Sequence, residues 1–193
     1  MDIKHIVIVG AGTMGTDLAV KLSASGARVT VIGRPGGRAE TFAARAISAA
    51  RDLDVSSDNI DMQLVSTLTS VDWLSVDLVI ENVIEDLAVK QSIFRQIVSL
   101  ANEHAIITSN SSTFGISLIA SGLSQQTRFF GLHFFMPAHL VPLVEIVMSE
   151  SSELQIANEL KQYLSARDFV PVIVRKDVPG FVANRIQAAL ITE

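Results

Sequence analysis

A run of four apolar residues, Ile6–Val9, passes directly into Gly10-Ala11-Gly12-Thr13-Met14-Gly15, and a helix-period pattern begins at once. No other feature of the chain narrows its fold so far. Glycines at this spacing between a strand and a helix suit a turn that is tight at Gly10. They also let the backbone approach a phosphate at Gly12 and let the helix pack closely on the strand at Gly15. Thr13 and Met14 then open a helix whose free amides and positive dipole end face a pyrophosphate. The same hexapeptide could be a bare glycine-rich turn, but its place between strand and helix favours a bound dinucleotide.

Further short runs rich in Val and Ile recur at Val29–Ile32, Leu78–Ile80, Ile106–Ile107 and Val170–Val174, and they read as buried strands. Between them, Thr13–Ser25, Arg38–Leu53, Leu87–Ala101 and Glu153–Ser165 carry helical periodicity. Strands alternating with helices predict βαβ units on a mostly parallel, doubly wound α/β sheet of the Rossmann kind. Two stretches punctuate the chain, Arg34-Pro35-Gly36-Gly37 and Val178-Pro179-Gly180. The second precedes an amphipathic helical start, Phe181 to Ile191, with nothing after it to cover its face. Residues 1–180 are therefore expected to form the dinucleotide-binding domain, and 181–193 the start of a helical C-terminal domain that is otherwise absent.

At 193 residues, with 49% in the apolar set and 18% charged, the chain can bury a full core. A net charge of −5 with no long Lys/Arg run argues against nucleic acid or an anionic membrane surface, and favours a small-molecule partner. No apolar run reaches the ~18 residues of a membrane span, and no leader pattern opens the chain, so a cytoplasmic protein is the default expectation. The absence of cysteine removes disulfides, thiolate catalysis and Cys-ligated metals. No metal site is indicated.

Several segments together resemble the 3-hydroxyacyl-CoA dehydrogenase family over nearly the whole chain. They are Gly10–Gly15, Asp77–Glu81 with Glu85 and Lys90, Ser109-Asn110-Ser111-Ser112-Thr113, Gly131-Leu132-His133-Phe134-Phe135-Met136-Pro137, Leu143-Val144-Glu145, and Lys176–Phe181 to Asn184-Arg185. The resemblance implies oxidation of a 3-hydroxyl to a ketone with hydride passing to a nicotinamide dinucleotide. It also implies an acyl-CoA or related 3-hydroxy acid as substrate and a homodimer formed through a helical second domain.

Removing the hydroxyl proton requires a base that titrates near neutrality, and His133 is the candidate. Glu145 lies twelve residues on, beyond Pro137 and Pro142, so a chain reversal could bring its carboxylate to one imidazole nitrogen. In the family, His and Glu at the matching positions form this pair. By its neighbours alone, Phe134 and Phe135, His133 reads rather as a buried histidine satisfying a backbone carbonyl, and the family match reverses that reading. Ser112 and Asn184 match family residues that hydrogen-bond the reacting oxygen, although a serine capping a helix and an asparagine at a helix start are ordinary devices. Glu85 and Lys90 match groups near substrate or cofactor, and a solvated i, i+5 charge pattern would also explain them. His5, His104 and His139 read as surface or loop residues. A non-catalytic sensor or assembly module would keep the glycines without needing the His133, Glu145, Ser112 and Asn184 set.

Two departures from the family bear on specificity. Met136 stands where an Asn is usual, which removes a polar contact. At the end of the second strand, Gly33 replaces the acid that would bind the ribose hydroxyls, and Arg34 and Arg38 offer guanidinium forks suited to a 2′-phosphate. NADP is thus expected to be favoured over NAD, with Arg34 stacking on adenine and Arg38 solvated as the alternative.

Overall fold

The computed structural model describes residues 2–34, 39–124 and 126–191, with only the backbone of Ser57. Its strands are β1 (His5–Val9), β2 (Arg28–Ile32), β3 (Met62–Val65), β4 (Leu78–Glu81), β5 (Ile106–Ser109), β6 (Phe129–Phe134), β7 (Leu143–Met148) and β8 (Val170–Val174). They form one sheet in the order β3-β2-β1-β4-β5-β6-β7-β8. Neighbours from β3 to β6 are parallel, β7 is antiparallel to β6, and β8 runs parallel to β7. The helices are α1 (Thr13–Ala24), α2 (Ala39–Asp52), α3 (Leu87–Leu100), α4 (Ile116–Ile119), α5 (Leu154–Ser165) and α6 (Ala183–Ile191). This is the doubly wound, Rossmann-type sheet expected, with its reversal of strand order at β1.

Alternation along the strands sorts the core into two layers, because successive side chains leave a strand on opposite faces. Ile6 and Ile8 join Leu18 and Leu22 of α1 and Leu160 and Leu164 of α5. Val7 and Val9 join Phe94 and Ile97 of α3 with Ile116 and Ile119 of α4. Both faces of the central strands are covered, which is why apolar residues follow one another along them rather than alternating with polar ones.

Three strands escaped the sequence reading. β3 is short and partly exposed, β6 contains Gly131 and His133, and β7 contains Glu145, so none reads as a plain apolar run. β8, expected to be buried, lies at the sheet edge with Val170 and Val172 exposed. Pro171, which lacks an N–H, is tolerated at such an edge. Two of the histidines read as surface or loop residues are buried, His5 in β1 and His139 in the turn before β7. His5 Nε2 meets Thr30 Oγ1 at 2.9 Å and its Nδ1 meets Arg28 Nη2 at 3.0 Å. His139 Nε2 bonds Asp52 Oδ2 at 3.0 Å, while its Nδ1 stands 3.0 Å from Asp17 Oδ2, a carboxylate also gripped by Arg45. His104 is exposed as expected.

Candidate active site

The glycine loop meets the steric demands of its sequence. Gly10 has φ +120°, and a Cβ there would sit 2.5 Å from the Asn82 carbonyl oxygen. At Gly15 a Cβ would lie 1.9 Å from the Gly10 carbonyl oxygen, so helix and strand approach too closely for any side chain. Around Gly12 there is open space within 4 Å, and no acidic residue occupies the first turn of α1. Thr13 and Met14 lie in that first turn, so an anion can come to the backbone at the helix N-terminus without steric or charge conflict. The loop therefore fits a dinucleotide pyrophosphate.

At the end of β2, Gly33 lies between Ala11 and Leu64 and donates its N–H to the Val65 carbonyl at 2.8 Å. Arg34 is exposed beside it. Arg38, the second cation expected here, lies outside the described residues.

The β6–β7 hairpin supplies the chain reversal anticipated between His133 and Glu145. The two are directly opposed in the antiparallel register, and His133 Nδ1 lies 2.8 Å from Glu145 Oε2. Both are buried, at 4% and 2% exposure. The other carboxylate oxygen accepts the backbone N–H groups of Val182 and Ala183, each at 2.9 Å, so Glu145 also holds the start of α6. Gly180 and Phe181 both have positive φ, 75° and 48°, and this turn aims those amides at the carboxylate. A bulky residue in the left-handed region is strained by about 1–3 kcal/mol. Phe181 is offset by its burial among Ile116, Val147 and Val174, and its ring lies 5.5 Å from that of His133. The Phe135 ring also packs on the imidazole, with centroids 4.6 Å apart.

With an ionised carboxylate on Nδ1, the neutral ring carries its proton there and leaves a lone pair on Nε2. Among the described residues Nε2 has no hydrogen-bond partner. The backbone-carbonyl role for this histidine is therefore not what the structure adopts.

Asn184, in the first turn of α6, donates from Nδ2 to the Ser112 carbonyl at 3.4 Å, a long contact that nevertheless brings both candidates to one place. Ser112 caps no helix. The amides opening α4 go instead to Asp177, with Ile116 N at 2.8 Å from Oδ1 and Ser117 N at 2.7 Å from Oδ2. Glu85 folds the turn that carries Ser112. Its Oε1 accepts the hydroxyl protons of Ser111 and Thr113 and the amides of Ser112 and Thr113, at 2.5 to 3.2 Å. Burial would raise the Glu85 pKa, but the Ser111 and Thr113 hydroxyls and the Lys90 ammonium outweigh it and hold the group at about 2.

Lys90 is not solvated. It is 1% exposed, and its Nζ lies 2.9 Å from Glu81 Oε1 and 3.2 Å from Glu85 Oε2. Sequence reasoning did not single out Glu81, Asn110, Phe181 or Asp177 as site residues. Asn110 accepts the Phe134 N–H at 2.8 Å and donates to Asn82 Oδ1 at 2.7 Å, which ties β6 to the wall of the glycine loop. The signal available was a carboxylate, Glu81, closing the otherwise apolar β4, and Asn110 directly after β5.

Comparisons with known proteins agree on one family. Residues 5–178 match the model described as 3-hydroxyacyl-CoA dehydrogenase, NAD binding domain. The chain is 31% identical over 196 residues to a 5-formyl-3-hydroxy-2-methylpyridine 4-carboxylate 5-dehydrogenase of Mesorhizobium japonicum, covering 99% of this chain and 63% of that protein. It is 30% identical over 204 residues to the human mitochondrial hydroxyacyl-coenzyme A dehydrogenase, covering 99% and 65%. A crystal structure of a 5-formyl-3-hydroxy-2-methylpyridine 4-carboxylic acid 5-dehydrogenase, described as an NAD+ dependent dismutase, superposes with a TM-score of 0.92 at 29% identity, over 100% of this chain and 64% of that one. The chain thus spans under two thirds of the length of these relatives. Among the described residues no helix is long and apolar enough to cross a membrane.

Proposed function

The chain belongs to the 3-hydroxyacyl-CoA dehydrogenase NAD-binding family, and on that premise we propose that it oxidises the 3-hydroxyl of an acyl-CoA or related 3-hydroxy acid, with His133 as general acid/base. The observation that carries this reading is the buried His133–Glu145 pair, whose 2.8 Å contact leaves Nε2 as the proton acceptor. The substrate hydroxyl gives its proton to Nε2, the carbon–oxygen double bond forms, and hydride leaves the same carbon. Glu145 stabilises the imidazolium and prevents the ring from turning. Ser112 and Asn184 hold the reacting oxygen and stabilise the charge that develops on it. When bound across the glycine loop, the nicotinamide dinucleotide supplies the hydride acceptor.

Gly33 and Arg34 support a preference for NADP: no carboxylate repels a 2′-phosphate there, and an exposed guanidinium stands next to the position. A panel of 3-hydroxyacyl-CoA and free 3-hydroxy acid substrates, assayed with both coenzymes by the appearance of reduced nicotinamide, tests the proposal. Turnover that depends on His133 is expected. Turnover undiminished in His133→Asn would overturn the assignment of the base.

A further inference from the structure

Lys90 sits between two carboxylates with different tasks. Glu81, at the end of β4, accepts the Val83 N–H at 2.6 Å, the Ser109 hydroxyl at 2.6 Å, and Lys90 at 2.9 and 3.1 Å. It thereby fixes residues 82–83, the segment that packs against Gly10 of the coenzyme loop. Glu85 gives one oxygen to the Ser111–Thr113 turn and the other to Lys90. The ammonium thus donates to both oxygens of Glu81 and forms an ion pair with Glu85, and it is 1% exposed.

We propose that Lys90, paired with Glu81, is a positioning residue that locks the coenzyme-side loop and the Ser112 turn in register through Glu85. The proposal rests on Ser112 holding the reacting oxygen, as assigned above. The physical reason is charge balance. Filling the space needs only an apolar side chain, and burying an ammonium is costly unless it is paired. Without Lys90, the second oxygen of Glu85 loses its cation and faces the Glu81 carboxylate across one gap, which raises the Glu85 pKa. A Glu85 released from Lys90 is no longer fixed in its orientation toward the four donors of the turn, and Ser112 loses its placement. The low pKa of Glu85 is in keeping with this arrangement.

The test compares Lys90→Met with the double variant Glu81→Gln/Lys90→Met, which restores neutrality behind the site but leaves Glu85 without its ammonium. Both variants are expected to lose about 10- to 100-fold in kcat with KM for the coenzyme nearly unchanged, since a small misplacement is felt in the transition state. The double variant should recover the melting temperature without recovering kcat. A double variant with native kcat would make the pair structural only. Carboxyl 13C titration of Glu85 reads the electrostatic link without turnover: a raised pKa in Lys90→Met supports the proposal, and an unchanged one overturns it. If the native protein oxidises no 3-hydroxy substrate, the functional reading fails, and the titration still decides the role of Lys90.

Discussion

At the scale of single residues, the two oxygens of Glu145 have separate duties, and this makes an isosteric change informative. One oxygen accepts two backbone amides and the other faces His133 Nδ1. In Glu145→Gln the amide oxygen stays with Val182 and Ala183, so the NH2 group turns toward Nδ1. That stabilises the tautomer protonated on Nε2, which cannot accept the substrate proton. We predict a loss of about 100-fold or more in kcat with little change in melting temperature or coenzyme affinity, by analogy with carboxylate-to-amide changes in histidine dyads. Equal kcat in the variant would show that Glu145 serves only to hold α6. Coenzyme preference belongs to the same scale. A Cβ at Gly33 would lie 3.3 Å from the flexible Leu64 Cδ1, so Gly33→Asp can be accommodated. It should shift the NADP/NAD affinity ratio toward NAD by about tenfold, ~1.4 kcal/mol, measured by titration with both oxidised coenzymes. His133, Glu145, Ser112 and Asn184 were legible as candidates because each sits in a compact motif. Glu81 was not, since its partners Lys90 and Ser109 lie 9 and 28 residues away and meet it only through the sheet.

At the scale of elements, contacts between strand ends and helix starts carry the site, and their partners are distant in sequence. Asp177 follows β8 yet caps α4, 60 and 61 residues earlier. Asp177→Ala should lower stability by about 1 kcal/mol, the usual cost of a lost helix cap, seen as a lower denaturant midpoint at unchanged slope. Runs dominated by Val and Ile were evident in the sequence, whereas β6 and β7 were hidden by Gly131, His133 and Glu145, which interrupt their apolar character. His5 on β1 shows a further consequence of burial. Burial first, and then the Arg28 guanidinium, lower its pKa from the ordinary 6.5. The folded state therefore binds this proton less readily than the unfolded chain, and the stability linked to neutral His5 is lost as pH falls from 6.5 through the lower folded-state value. Replacing His5 with Gln should flatten the stability–pH curve over that acidic interval, whatever its effect on the baseline. An unchanged curve would show that His5 does not govern it.

For the whole molecule, the question is what supports α6, the helix that brings Asn184 to Ser112. None of its residues is buried, and Ile186, Leu190 and Ile191 are 56%, 73% and 76% exposed. Val182, Ile186 and Leu190 recur at four-residue spacing and so form one apolar stripe with no cover. A nine-residue helix is marginal in water by itself, so the Val182 and Ala183 amides held by Glu145 secure only its first turn. Burying each of those large side chains would add about 1.5–3 kcal/mol. The family relatives are longer than this chain, which spans 63% and 65% of the two compared. We predict that in the 193-residue chain alone the amides beyond Asn184 exchange rapidly and turnover is weak even though coenzyme binds, because the glycine loop is built on β1 and α1 and not on α6. Joined to a helical second domain of the family type, the same amides should become protected and kcat should rise together with that protection. Hydrogen exchange and kcat measured on both forms test the link, and slow exchange with full turnover in the monomeric 193-residue chain would show that α6 needs no further support.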